Sequence, residues 1–307
     1  MRRDPEAEHC VARGMLPYPI EQGDDLEARL RANGAVLLRG AGVRCVEGFQ
    51  ALVGELSGGA APFDYAGGAS PRKGMGAGVY TSTEYPPSVG LSLHNELSYA
   101  DVYPRRLYFV CLVAPEEGGE TTLGDSRRIL ARIDASVVEE FRRRKLTYLR
   151  NLSGEVGGGY SWREALGADG RSEAEAVCRR IGADFEWRAG GVLRMRQTRA
   201  ATAFHPDTGE EVWFNQADGF HPSVLDAATY AEMLAWAGSE DGFRLNVTYG
   251  DGGRIDPAAL SDIRAAIEAE TIPYRWQQGD VLVLDNFLAA HGRRPFRGPR
   301  KIALAMT

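Results

Sequence analysis

Two histidines and a glutamate have the types and the spacing needed to hold a divalent metal ion. His94 and Glu96 stand two residues apart, so their side chains point to the same side if the backbone is extended. A third imidazole is available at His291, just after the apolar run 281–285. Two imidazoles and one carboxylate on one face, with the opposite face open, form the ligand set typical of non-haem Fe(II) sites. An isolated His-x-Glu pair is also common as a surface pair or a hydrogen bond, so its neighbours must decide.

Residues 94 and 291 can meet only if the fold brings distant strands together. Strand-like segments dominate the chain after residue 90, and helices interrupt them without regular alternation. This order favours a largely antiparallel sandwich or jelly roll with flanking helices over a doubly wound sheet. We predict strands at 35–39, 107–114, 146–152, 192–196, 212–214, 243–248, 274–276, 281–285 and 302–306. We predict helices at 25–30, 45–57, 136–145, 172–180, 225–236 and 256–270, the last with Asp256 as N-cap and Pro257 at the first helical position.

Residues 58–87 form a long segment that is rich in Gly, Ala, Ser and Pro and shows no sustained periodicity. Irregular segments of this length inside a compact domain are usually functional loops or disordered. Because this one leads directly into His94, we predict it to be a lid over the active site.

Composition excludes several classes of protein. The 307 residues are 44% hydrophobic and 25% charged, which indicates a globular chain, and we expect a single domain over residues 1–307. The net charge of −6 leaves no overall positive field for nucleic acid or an anionic membrane. The four cysteines form no CxxC pair, and no stretch has the roughly 18 apolar residues of a spanning helix. We therefore expect a cytoplasmic protein.

Three short motifs stand out along the chain. An H-x-[DE] element is His94-Asn95-Glu96, and a G-G-[DE]-T element covers residues 118–121. A distal D-N-x(4)-H element ends at His291 and is followed by Arg300. Together the three motifs resemble the TauD/TfdA group of Fe(II)- and 2-oxoglutarate-dependent dioxygenases, and the likeness runs from about Leu30 to the end of the chain. Residues 80–86 and 212–216, with a glutamate in the first motif, are most similar to the SyrP-like branch, whose members hydroxylate amino acids, often on a carrier protein, in natural-product pathways.

The resemblance implies a double-stranded β-helix of the jelly-roll, cupin-like type. It makes His94, Glu96 and His291 the iron ligands and implies 2-oxoglutarate and O₂ as cosubstrates. Arg300 would hold the distal carboxylate of 2-oxoglutarate, with Thr121 donating a hydrogen bond to the same group. A planar guanidinium suits two-point carboxylate binding, and a hydroxyl completes the shell of the anion. Thr122 is the alternative to Thr121, and Arg300 could instead be an ordinary charge that flanks a strand. The neighbouring bases could together form a solvated basic edge or a docking patch; they are Arg293, Arg294, Arg297 and Lys301.

The expected substrate is a small molecule, an amino acid or its derivative, either free or presented by a carrier protein. Tyr80, Trp213, Asn215 and Gln216 are our predicted substrate contacts, since adjacent amides in an apolar strand need partners when buried. Taurine-type members carry a second arginine four positions after the first, where this chain has Leu304, so a sulfonate substrate is disfavoured. The carboxylate of Glu96 argues for oxygenation and against halogenation.

Other readings stay open at this point. The same three ligands suit a zinc-like hydrolase or isomerase, and the fold suits a binding protein without activity. Oxygenation itself can end in hydroxylation, desaturation or cyclisation. The remaining histidines are not expected to bind iron: His205 and His221 stand before prolines in predicted loops, and His9 lies near the N-terminus. The oligomeric state is undetermined by the sequence.

Overall fold

The computed structural model describes residues 18–19, 25–154 and 160–307. Its strands are β1 (Tyr18–Pro19), β2 (Ala35–Leu38), β3 (Gly74–Gly76), β4 (Val79–Thr81), β5 (Leu91–His94), β6 (Arg106–Val113), β7 (Glu117–Gly118), β8 (Thr121–Asp125), β9 (Leu146–Leu152), β10 (Asp184–Trp187), β11 (Leu193–Arg199), β12 (Thr202–Phe204), β13 (Glu211–Trp213), β14 (Leu245–Tyr249), β15 (Ile272–Tyr274), β16 (Val281–Asp285), β17 (Ala289–Arg293), β18 (Phe296–Arg297) and β19 (Lys301–Met306). Its α-helices are Leu26–Asn33, Val46–Leu56, Ser126–Arg132, Ala135–Arg144, Trp162–Leu166, Arg171–Arg180, Ala217–Phe220, Ala227–Ala237 and Pro257–Glu270.

Two sheets form the centre of the fold. The larger has seven strands in the order β1-β2-β16-β6-β19-β4-β3, and the smaller has four in the order β15-β8-β17-β5. Except for the parallel pair β1 and β2, the neighbours in both sheets are antiparallel. Leu107 and Leu282 of the larger sheet share one buried cluster with Leu123 and Ala289 of the smaller. The sheets therefore pack face to face, and the predicted mainly β, largely antiparallel fold with flanking helices is confirmed.

The middle of the larger sheet explains why its strands read as continuous apolar runs. Every residue of β16 is buried, and β16 lies between β2 and β6. One face packs on the smaller sheet, while Val281 and Val283 join a second cluster with Phe49 of the helix Val46–Leu56. Burial on both faces removes the alternation of polar and apolar residues that a half-exposed strand shows.

Capping residues in the sequence predicted the ends of two helices correctly. Asp25 caps the helix Leu26–Asn33, and Gly34 ends it in the left-handed conformation with a φ of 71°. Asp256 caps the helix Pro257–Glu270 with Pro257 in its first turn, as predicted. In the part of the chain that the structure describes, no helix has the length and apolar character needed to cross a membrane.

The segment 58–87 is less irregular than its composition suggested. β3 and β4 lie within it, and β4 pairs with β19 at one side of the larger sheet. β3 pairs with β4 through a register shift between Gly74 and Gly76. Both strands have only three residues, and β3 is Gly-Met-Gly, so neither leaves a periodic signal in the sequence.

Candidate metal centre and active site

The two histidines of the predicted triad lie opposite each other on neighbouring strands of the smaller sheet. β5 and β17 are antiparallel neighbours, and His94 lies directly opposite His291. Their ring centres are 4.4 Å apart. One ligand atom from each of His94, Glu96 and His291 lies within 4.8 Å of the other two. The fold thus brings His291 to the His94–Glu96 pair, although almost two hundred residues separate them in sequence.

Glu96 reaches this point from a turn after β5, so the extended backbone under which both side chains would share one side does not continue through the second ligand. β5 ends at His94, and Leu97 after the glutamate takes a φ of 56°. Asn286 fixes the turn: its Oδ1 accepts a hydrogen bond from the Glu96 N–H at 2.7 Å, and its Nδ2 donates to the Glu96 carbonyl at 3.0 Å. Nδ2 also donates to the carbonyl of Pro104 at 2.8 Å. The side-chain amide of Asn286 therefore holds the backbone of Glu96, the residue that carries the carboxylate ligand, in place.

His291 is also placed differently from the expectation. It does not follow β16 directly but lies in the middle of β17, a separate strand after a turn at 286–288. Asp285 organises that turn, since its Oδ1 accepts from the backbone N–H groups of Phe287 and Leu288 at 2.9 and 3.2 Å. Its Oδ2 contacts Arg106 and lies 3.0 Å from His205 Nε2.

His205 was predicted to be a loop histidine, and it does lie in a loop, but it is almost fully buried there. Its Nδ1 accepts from the backbone N–H of Thr208 at 3.1 Å, so Nε2 carries the proton that faces Asp285. Neither His205 nor His221 belongs to the triad cluster, and His9 lies outside the described residues.

The protonation states suit a metal centre. His94 Nδ1 lies 2.9 Å from the carbonyl of Ser92, which leaves Nε2 free as a ligand atom. Burial, together with the nearby imidazole of His291, lowers the pKa of His94 to about 4, so this ring is neutral at pH 7. Burial by itself would raise the pKa of Glu96, but Arg72 and the two imidazoles hold it well below the usual range. Neutral imidazole and ionised carboxylate are the forms that bind Fe(II). The residues present therefore fit the metal.

A small cavity beside the triad carries an excess of positive charge. Arg72, Arg293 and Arg300 line it together with Thr121 and both triad histidines. Arg300 donates from Nε to the carbonyl of Gly119 at 3.2 Å and from a terminal nitrogen to Ser82 Oγ at 3.4 Å. Burial, with Arg293 nearby, lowers the pKa of Arg300 to about 10, so it stays protonated at pH 7. Among the described residues no carboxylate pairs with Arg300, which leaves its guanidinium able to receive an anion.

Thr121 begins β8, opposite Arg293 of β17. Its Oγ1 accepts a hydrogen bond from Trp276 Nε1 at 2.9 Å, so its own hydroxyl proton remains to be donated elsewhere. Thr122 points to the other face of the strand and does not line the cavity. Of the two threonines that the sequence offered, Thr121 is the one beside Arg300.

Two further arginines at this cavity were not predicted as site residues. Arg293 is buried, so its placement in a solvated basic edge was wrong; it donates to the backbone carbonyls of Pro86 and Val89 at 3.1 and 2.8 Å. Arg72 donates to Glu96 Oε2 at 2.7 Å. The H-x-Arg spacing after His291 could have marked Arg293, whereas Arg72 stands in the irregular segment and carries no local signal.

A larger cavity lies on another side of the triad and shares Thr83, Leu91 and His94 with the first. Its lining residues come mainly from the segment 58–87, β5 and the stretch after β13: Ala69, Ser70, Tyr85, Ser92, Leu93, Asn95, Ile129, Trp213, Asn215, Gln216, Asp218, Gly219, Phe220, Leu245, Ile267 and Ala290.

Three of the four predicted substrate contacts line this larger cavity. Trp213, Asn215 and Gln216 are among its walls. Both amides also make internal bonds: Asn215 Nδ2 donates to the Ala201 carbonyl at 2.7 Å, and Gln216 Nε2 donates to the Asn95 carbonyl at 3.0 Å. Tyr80 is not brought to either cavity that reaches His94; it lies on β4, and its hydroxyl is 3.5 Å from the backbone nitrogen of Tyr65.

Comparison with known proteins agrees with this geometry. Residues 7–307 match the family described as "Taurine catabolism dioxygenase TauD, TfdA family". The dapdiamide synthesis protein DdaC of Enterobacter agglomerans is 37% identical over 277 residues, which cover 90% of this chain and 83% of the relative. A clavaminate synthase-like protein of Arabidopsis thaliana is 29% identical over 291 residues, covering 92% of this chain and 83% of the relative.

Solved structures show the same fold at low sequence identity. PvcB from Pseudomonas aeruginosa superposes with a TM-score of 0.51 at 16% identity, over 92% of this chain and 77% of its own. AAD-2 in complex with Mn(II) and N-oxalylglycine gives a TM-score of 0.53 at 12% identity, over 94% of this chain and 88% of its own. The jelly roll, the His-Glu-His cluster and the family match lead to one conclusion: the chain belongs to the TauD/TfdA family and is a dioxygenase that depends on Fe(II), 2-oxoglutarate and O₂.

Proposed function

We propose that the enzyme hydroxylates an aliphatic C–H group of an amino acid or an amino-acid-derived substrate in natural-product biosynthesis. The observation that carries the proposal is the meeting of two unlike cavities at His94. The smaller is cationic and contains no carboxylate among its lining residues, as a dianionic keto acid requires. The larger combines apolar walls with the amides of Asn215 and Gln216 and the carboxylate of Asp218.

In this proposal each residue has a stated task. His94, Glu96 and His291 would hold Fe(II), which would supply coordination sites for 2-oxoglutarate and O₂, with O₂ as the oxidant for C–H cleavage and 2-oxoglutarate as the co-reductant. Arg300 and the Thr121 hydroxyl bind the distal carboxylate of 2-oxoglutarate. Asn286 keeps the turn that carries Glu96 in place through the hydrogen bonds described above.

The larger cavity supports a substrate with a polar, amine-bearing end. Asp218 is buried in its wall and pairs with Arg264, so its second oxygen remains to accept a hydrogen bond from an ammonium or amide group. Trp213 and Phe220 supply apolar surface on the same wall. The names of two similar proteins, a dapdiamide synthesis protein and an oxygenase from an isonitrile synthetic pathway, also place such enzymes in natural-product routes. The substrate reaches the cavity either free or tethered to a carrier protein.

Residues 58–87 serve in this proposal as the lid. Arg244 donates to the carbonyl of Ala69 at 3.1 Å, and Arg150 donates to the carbonyl of Gly67. Ala69 lines the larger cavity, and Arg72 lines the smaller. A cover held by hydrogen bonds over both cavities excludes water from the oxidising step.

The first test is an anaerobic titration of the purified protein with Fe(II) and 2-oxoglutarate, followed by visible absorption. We expect the weak charge-transfer band of an iron-bound keto acid. Consumption of O₂ coupled to succinate release then separates an oxygenase from a zinc-like hydrolase. A folded protein that shows no band and releases no succinate would refute the cofactor assignment.

The second test identifies the product. Candidate amino acids, each offered free and loaded on a carrier protein, are incubated with the enzyme and analysed by mass spectrometry. A product heavier by one oxygen atom supports hydroxylation, whereas a loss of two hydrogens indicates desaturation or cyclisation. Turnover of only one of the two forms decides how the substrate is presented.

A further inference from the structure

Arg72 is the cation in direct contact with the carboxylate of the triad. It donates to Glu96 Oε2 at 2.7 Å, and the two side chains are only 3% and 5% exposed. Oε2 is also the Glu96 oxygen that lies 3.6 Å from His291 Nε2. A second nitrogen of Arg72 faces the carbonyl of Thr81 at 3.4 Å, and the guanidinium lies 5.1 Å from the ring centre of Tyr65. The ion pair is therefore buried and is made with the triad carboxylate itself, and Thr81 and Tyr65 also contact the guanidinium.

Such a contact orients a carboxylate. The Cα–Cβ, Cβ–Cγ and Cγ–Cδ torsions of Glu96 lie between its carboxylate oxygens and the backbone that Asn286 holds, so the bonds to Asn286 alone do not fix the oxygens. A carboxylate has about four lone-pair sites, and it can accept from a guanidinium while it binds a metal. Removing an outer partner that orients a ligand typically costs 10–100-fold in metal affinity.

Arg72 also belongs to the segment 58–87 that covers both cavities. The other bonds between this segment and the rest of the protein described above, from Arg150, Arg244 and Arg293, all end on its backbone carbonyls. Arg72 is different because its side chain reaches out of the segment to a triad residue. Whatever fixes Glu96 therefore also fixes this part of the segment, and the effect is reciprocal by thermodynamic linkage.

We propose that Arg72 is a positioning residue that orients the metal ligand Glu96 and thereby couples the placement of residues 58–87 to metal binding. The inference rests on the proposed role of Glu96 as a metal ligand. It assigns Arg72 no contact with the reacting atoms.

The test compares three variants by equilibrium titration with Co(II) as the probe. We expect Arg72→Gln to weaken Co(II) binding 10–100-fold and to shift the visible spectrum of the bound metal. Arg72→Lys keeps the charge but loses the planar fork, so it should recover part of the affinity. The matched control is Lys73→Gln, which removes the neighbouring exposed cation that pairs with Glu84 and should bind Co(II) like the wild type.

The coupling is read separately by hydrogen exchange of peptides from residues 58–87. Saturating Co(II) should slow exchange there in the wild type and in Lys73→Gln, and should have little effect in Arg72→Gln. Unfolding in urea shows whether Arg72→Gln is still folded. Partial recovery of Co(II) affinity in Arg72→Lys shows that the charge at this position supports metal binding. If the wild type binds no Co(II), the metal site itself is refuted. If the wild type binds it and Arg72→Gln binds equally well with the same protection, only the role of Arg72 is refuted.

Discussion

Replacing Arg300 by alanine should weaken 2-oxoglutarate binding about 100-fold and leave metal binding unchanged. Among residues 25–154 and 160–307 the guanidinium makes two long hydrogen bonds, to Gly119 and Ser82, and burial disfavours its charge. A bound carboxylate therefore has no internal ion pair to displace, and the whole gain from the new pair appears in the affinity. Loss of a buried charge pair costs about 2–5 kcal/mol. A value of about 3 kcal/mol corresponds to roughly two factors of ten in the dissociation constant.

The assay is an anaerobic titration of 2-oxoglutarate into protein saturated with Fe(II), followed through the charge-transfer band. Co(II) affinity, measured separately, should stay within about twofold of the wild type, since Arg300 does not touch His94, Glu96 or His291. The control is Arg297→Ala, because Arg297 lies on the same stretch but is exposed, with its guanidinium 3.7 Å from the Glu117 carboxylate. Equal effects of the two substitutions, or a parallel loss of metal affinity in Arg300→Ala, would refute the reasoning.

Three further predictions concern Asn286, Asp285 and His221. Asn286→Ala should lower the free energy of unfolding by about 2–4 kcal/mol and weaken Co(II) binding, because it leaves the buried N–H and C=O of Glu96 without hydrogen-bond partners. Urea unfolding and a metal titration check this, and an unchanged unfolding midpoint would contradict it. Asp285→Asn should lower the free energy of unfolding in urea by about 1.5–3 kcal/mol, since it weakens the charge-assisted contacts of Asp285 with Arg106 and His205 while Glu27 still pairs with Arg106 at 2.7 Å. Burial lowers the pKa of His221 in the folded protein. At a pH just below the ordinary histidine pKa, the unfolded chain therefore binds more protons than the folded protein. The free energy of unfolding should then fall as the pH drops through that range. His221→Gln should flatten this fall in urea unfolding measured from pH 7 to pH 5, and parallel curves would count against it.

The sequence predicted best where one physical signal dominates. The run Val281–Asp285 is apolar at four of five positions and folds as the strand its pattern indicated. The ligand candidates were few, because the chain holds five histidines and only one His-x-Glu pair with a distant partner on a strand. Antiparallel pairing then places His94 opposite His291. Local composition and a short ligand motif were sufficient for these features.

What the sequence could not predict depends on long-range contacts. Nothing local shows that Arg72 will meet Glu96, or that His205 will be buried against Asp285, since each pair is joined only by the folded sheets. The turn at Glu96 was missed because an alternating pattern does not reveal where a strand ends. Tyr80 was predicted at the substrate, but the pairing of β4 with β19 draws it to the larger sheet, away from both cavities.

The pairing of β17 with β5 also sets where this enzyme tolerates change. A slip of one residue in β17 would turn His291 to the opposite face of the sheet, so insertions and deletions there would abolish the metal centre. Ser70, Leu245 and Ile267 line the larger cavity from other parts of the chain. A saturation library at these three positions would reshape the cavity while the strand register stays intact, which makes them the starting points for altering the range of accepted substrates.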